Sequence, residues 1–191
     1  MNIEKETAKI MTNFYFQSQG LRVIYLMHRK KERGINVDKK QHKKISFNET
    51  DFEKIISEFL QIMKDNPKIP FRIYSSANER DFDKAIRNFK IRQIEAEFDG
   101  AKTKKSFYSD MKNRLISCLS RPDARTKDRK FLIDCDSEEE YESALEILAG
   151  ITKNYTHYRT KNGRHILVQP FDVRLMPDHD IKKDGLLLLK F

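Results

Sequence analysis

The feature that most limits how this chain can fold is Phe131-Leu132-Ile133-Asp134-Cys135-Asp136, an apolar run that ends in two carboxylates one residue apart. Such a run reads as a strand, and side chains alternate across a strand, so Asp134 and Asp136 face the same way. Like charges held that close are unfavourable without a cation or a raised pKa, which makes the pair a candidate site for a shared divalent cation. A structural reading competes with this one. Asp136 or Ser137 can cap a following helix, with Glu140 closing a capping box. Capping accounts for one carboxylate and leaves Asp134, inside the apolar run, unexplained.

The remaining patterns surround this strand with further strands and helices. Leu21 to Met27 reads as a strand, followed by a basic stretch from His28 to Gly34 that reads as a solvated loop. Phe52, Ile55, Ile56, Phe59 and Met63 recur at helical spacing, and Asn66-Pro67 ends that helix. Phe71-Arg72-Ile73-Tyr74 alternates like a strand, Phe82, Ile86 and Phe89 mark a helix, and Phe107, Met111, Leu115 and Cys118 mark another. A helix from Ser137 carries Tyr141, Ala144, Leu145 and Leu148 on its core face and ends near Gly150. Residues 155–159 and 165–168 form a hairpin about Asn162-Gly163. This order predicts one α/β domain over residues 1–191, with a central mixed or antiparallel sheet flanked by helices.

With 191 residues, 38% of them hydrophobic, and 13 Phe and 7 Tyr, the chain can bury a substantial core. Cys118 and Cys135 form no CxxC pair, so a zinc finger or a disulfide scaffold has little support, and Cys118 reads as a core residue. The absence of a long apolar stretch argues against a signal or a spanning helix and makes a cytoplasmic, membrane-free location the expectation. Lysine and arginine exceed the acids by 38 to 29, a formal +9, which favours a polyanionic partner.

Two segments are candidates for holding that partner. The hairpin brings His165 beside the Asp134 strand and leaves Lys161 and Arg164 near its rim, where they can face phosphates. His157 reads as a satisfied strand histidine. After the strand at Phe71, the residues Ser76, Asn78 and Arg80 lead into a helix start that favours anions, with Ser76 or Asn78 as alternative caps of that helix. Arg72 and Tyr74 lie in the same segment, Tyr74 with packing inward as its other role.

In Phe131 to Asp136, followed by Gly163-Arg164-His165, the chain resembles the archaeo-eukaryotic primase and primase-polymerase family, in particular its small viral or plasmid-borne members. That family carries hydrophobic-Asp-x-Asp, then small-x-His, then a later hydrophobic-Asp. Phe171-Asp172 has the last form, while Asp184 precedes the strand-like run from Gly185 to Leu189 with Lys183 in the hydrophobic place. The resemblance covers mainly residues 71–189. It implies a primase-like core that joins nucleoside triphosphates into nucleic acid on single-stranded templates. Asp134, Asp136 and either Asp172 or Asp184 would hold Mg²⁺ or Mn²⁺, and His165 would contact the incoming nucleotide. Replication, repair or defence proteins would be its partners. A metal-dependent nuclease and a catalytically inactive single-stranded nucleic-acid-binding module are the alternatives.

Overall fold

Two antiparallel sheets, rather than one central sheet, organise the chain. The computed structural model describes residues 2–13, 20–28, 42–160 and 162–190. Helix α1 (Ile3–Asn13) precedes strands β1 (Arg22–His28) and β2 (His42–Ser46), helix α2 (Glu49–Asp65) and strand β3 (Phe71–Ser76). Helices α3 (Phe82–Phe98), α4 (Ala101–Ser109) and α5 (Met111–Leu119) follow. Then come β4 (Phe131–Cys135), α6 (Glu138–Ala149), β5 (Tyr155–Arg159), β6 (Arg164–Val168), β7 (Asp180–Lys182) and β8 (Leu186–Lys190). The first sheet has the order β2-β1-β3-β8 and the second β5-β6-β4-β7. All their pairings are antiparallel.

The α/β class holds, while the single central sheet does not. Both edges of β4 are taken, by β6 and β7, so the apolar run 186–190 pairs instead with the open edge of β3. The chain therefore crosses from one sheet to the other at Lys183-Asp184-Gly185. The backbone N–H of Ala77 donates to the Gly185 carbonyl at 3.0 Å, which fastens that crossover beside β3.

Local sequence sets the helix limits. The Asn48 Oδ1 accepts from the Asp51 N–H at 2.8 Å and caps α2, whose far end closes on Asn66 as the Asn-Pro pair predicts. Helix α3 is capped by Asp81, which accepts from the Lys84 N–H at 3.0 Å, and not by Ser76 or Asn78. The helix predicted through Phe107 and Cys118 is two helices, broken at Asp110 (φ −126°, ψ 25°). The break lets Phe107 bury against Phe89, ring centroids 5.2 Å apart, while Met111 stays exposed.

Packing joins the layers. Phe52, Ile56, Phe59 and Leu60 of α2 cover Ile24, Leu26 and Ile73 of the first sheet, and the same core takes in Leu132 and Leu167 of the second. Alternation sends Val23 and Tyr25 to the other face, against Phe89, Phe107, Ile116 and Cys118, so Cys118 is a core residue. Helix α6 covers the outer face of the second sheet, where Ile133, Cys135, Ile166 and Val168 meet Tyr141, Ala144 and Leu148. Each large apolar side chain fully buried in these layers contributes about 1.5–3 kcal/mol.

Candidate active site between the two sheets

Alternation along β4 explains the aspartate inside the apolar run. Phe131, Ile133 and Cys135 face α6, which turns Leu132 and Asp134 to the opposite face, toward the first sheet. There Asp134 is the cross-strand partner of His165. The His165 Nε2 lies 3.1 Å from Asp134 Oδ1, and the Lys182 ammonium donates to Asp134 Oδ2. The bond from His165 holds the Asp134 carboxyl far below the usual carboxylate range, with Lys182 acting in the same direction against the opposing effect of burial. Lys182 is raised in turn, because its bonds to Asp134 and Asp180 outweigh the burial that disfavours its charge.

The capping question resolves at Ser137. Its Oγ accepts from the Glu140 N–H at 3.2 Å, and Glu140 reaches back to the backbone N–H of Asp136 at 2.8 Å. The carboxylate of Asp136 takes no part in capping, and among the described residues no side chain pairs with it. Gly163 seats the hairpin against this strand end: a Cβ there would lie 2.0 Å from the Cys135 carbonyl oxygen and 2.8 Å from the Asp136 carbonyl carbon. The Thr160 N–H donates to the Gly163 carbonyl at 2.9 Å and closes the turn.

These groups line a cleft of about 420 Å³ where the sheets meet. The second sheet and its hairpin supply Asp134, Asp136, His165, Lys182, Thr160 and Asn162. The first sheet faces them with Met27, Arg72, Tyr74, Leu186 and Leu188, and the crossover adds Asp184 and Gly185. Arg72 is 9% exposed and His165 is 6% exposed, so both side chains are set into the walls. The buried Nδ1 of His165 has no hydrogen-bond partner among the described residues.

Other residues singled out in the sequence lie elsewhere. Ser76 is buried and its Oγ accepts from the Val23 N–H at 3.3 Å. Asn78 donates to the Lys130 carbonyl at 3.0 Å and accepts from the Lys130 N–H at 2.6 Å, lashing the first sheet to the start of β4. Arg80, 4% exposed, donates to Asp184 Oδ2 at 3.0 Å and to the Arg121 carbonyl at 3.2 Å. It stands behind Asp184 rather than in the cleft wall. Arg164 pairs with Glu138 at 2.8 Å and stacks over the Tyr141 ring, outside the cleft. Asp172 is tied to Arg174 at 2.6 Å and caps the short 3₁₀ turn Val173–Leu175, also outside it. His157 is satisfied by the Tyr141 hydroxyl at 3.1 Å. Lys161 and the basic residues 29–33 lie outside the described residues.

The sequence reading passed over Lys182 and Asp180. The alternation of Asp180-Ile181-Lys182 was the available signal, since it places both charges on one strand face beside the isolated Asp184. Of the two candidates for a third acid, the one that shares the cleft with Asp134 and Asp136 is Asp184. Its carboxylate is held by Arg80 and by Asn78 Nδ2 at 3.3 Å.

Three carboxylates on one cleft suit a hard divalent cation in donor type. Among the described residues, however, no group of three His, Cys, Asp or Glu side chains is arranged to hold a metal ion. Both oxygens of Asp134 are engaged, one by His165 and the other by Lys182. The Cys135 thiol, 1% exposed, is pushed up to about 11 by burial, with neighbouring carboxylates adding to the rise, so it is no nucleophile. Comparison of the chain with protein-family models, with curated proteins and with solved structures gives no match. Among the described residues no helix is long and apolar enough to cross a membrane.

Proposed function

We propose that the chain is a nucleotidyltransferase of the primase and primase-polymerase kind, which adds nucleoside triphosphates to nucleic acid in the cleft between its sheets. One observation carries the reading. Asp134, Asp136, Asp184 and His165 meet Arg72 and Lys182 in one cleft, although they come from four separated segments of the chain. Acids that suit a metal, beside cations that suit phosphate, are the pairing that phosphoryl chemistry calls for.

In this reading Asp134 and Asp136, with Asp184 behind them, hold Mg²⁺ or Mn²⁺. When bound, the metal would activate the attacking hydroxyl and offset charge on the leaving group. The chain's own cations do the positioning. Arg72 and Lys182 face the triphosphate with charge-assisted donors. Asp134 fixes the His165 ring through Nε2, which leaves Nδ1 to bond the nucleotide: as a donor when the ring is doubly protonated, as an acceptor when it is neutral. The attacking 3′-hydroxyl displaces pyrophosphate from the α-phosphorus, so one phosphodiester forms as one phosphoanhydride breaks. Tyr74 and Met27 supply apolar wall for the nucleoside. The formal +9 charge provides the sequence-independent attraction for a single strand.

Purified protein with Mg²⁺ or Mn²⁺, mixed nucleotides, single-stranded template and a primed control tests the reading. Extended or initiated strands and pyrophosphate are expected, with loss of at least ~100-fold in Asp134→Asn and Asp136→Asn variants that keep their fold. Shortened strands without nucleotide consumption would instead make the protein a nuclease. The engagement of Asp134 by Lys182 favours a second reading, a single-stranded nucleic-acid-binding module without catalysis. Strand binding that survives both substitutions, with no product under any metal, is its signature.

A further inference from the structure

Strands β4 and β7 place Asp134 directly opposite Asp180. Like charges facing each other across a ladder repel, and in this pair a single side chain offsets the repulsion. The Lys182 ammonium donates to Asp134 Oδ2 and lies 3.1 Å from Asp180 Oδ2. We propose that Lys182 is a tethered counter-ion that occupies Asp134 until a divalent cation displaces it, with Asp180 as the partner that keeps it afterwards. The inference rests on the metal-dependent reading given above and adds to it a built-in competitor for the metal.

Geometry gives this exchange a direction. The ammonium takes one oxygen of Asp134 while His165 takes the other, so release of Lys182 frees an oxygen without disturbing the histidine. That freed oxygen belongs to a carboxylate lining the same cleft as Asp136. The Lys182 side chain is 40% exposed and Asp180 62%, so a flexible four-carbon stem can settle on Asp180 while its ammonium keeps further donors for a phosphate in the cleft that it lines. A divalent ion brings twice the charge of the ammonium to Asp134. Its apparent affinity is lowered by the fraction of molecules in which the ammonium must first leave.

The test is Mn²⁺ binding followed by electron paramagnetic resonance, which needs no activity. Wild type is compared with Lys182→Met and with Lys183→Met, which removes the same charge from an exposed neighbouring position. Lys182→Met is expected to bind Mn²⁺ about tenfold more tightly than wild type, and Lys183→Met within about twofold of it. Lys182→Gln provides a second variant with the same expected direction, and thermal melts establish that each is folded. Mn²⁺ bound equally by wild type and both Lys182 variants overturns the displacement and leaves the metal-dependent reading standing. Equal tightening in Lys182→Met and Lys183→Met reduces the effect to net charge and overturns it as well. Mn²⁺ bound by none of the proteins contradicts the metal-dependent reading itself, and the displacement falls with it.

Discussion

Gly163 shows how a single residue couples the hairpin to the acidic strand. The backbone approach there leaves no room for a Cβ, because the obstruction is the Cys135 carbonyl rather than a side chain that can swing aside. Gly163→Ala should lower stability by about 1–3 kcal/mol, the cost of overpacking a close contact, and thermal unfolding should fall by several degrees. An unchanged melting temperature would mean that the turn does not rest on β4. The facing of Asp134 and His165 was legible from period-two alternation and the Asn-Gly turn, since both are local signals. The places of Ser76, Asn78 and Arg80 were not. They follow Arg72 and Tyr74 on the chain, but Ser76 is taken up by the Val23 N–H, while Asn78 and Arg80 lie beyond the end of β3 and are bonded to Lys130 and to Asp184. Those partners come from distant parts of the chain, and the segment's own sequence does not state them.

Among the elements, α1 is held by a contact that pH can read. Lys190 of β8 donates to Glu6 at 2.7 Å, and this bond holds the Glu6 carboxyl below its ordinary value of 4.5. A carboxyl depressed in the folded state adds stability above its ordinary value, and that stability is lost as pH falls below it. Both side chains are about a quarter exposed, so the contribution is about 0.5 kcal/mol. Glu6→Gln should destabilise the protein by that amount at pH 7, and the difference from wild type should close below about pH 4 in denaturant titrations. A difference that stays constant with pH would assign the loss to packing. Helix α2 was legible as far as its C-terminal end because its apolar stripe and its Asn-Pro pair agree, while its N-cap at Asn48 was not read. The break at Asp110 was hidden, as Phe107, Met111, Leu115 and Cys118 keep helical spacing across it. The destination of β8 was hidden for a similar reason, since an apolar run states that it is buried and not beside which strand.

At the scale of the molecule, the α/β class followed from the alternating elements, whereas the split into two sheets depends on which strand edges are already occupied. That split matters for function, because it makes the cleft a junction: one wall carries Asp134, Asp136 and His165, and the other carries Arg72 and Tyr74. A nucleotide held there would touch both sheets, while a single strand attracted by net charge would draw on a much wider surface. The two kinds of binding should therefore separate under substitution. Calorimetric titration with a nonhydrolysable nucleoside triphosphate and Mg²⁺, run on wild type and His165→Ala beside a fluorescence assay with labelled single strand, measures that separation directly. The junction cleft predicts nucleotide binding weakened by about tenfold or more in the variant, as expected for loss of a hydrogen bond to a charged group, with strand binding changed less than about twofold. Equal nucleotide affinity in the two proteins would contradict it and return the hairpin to a structural role.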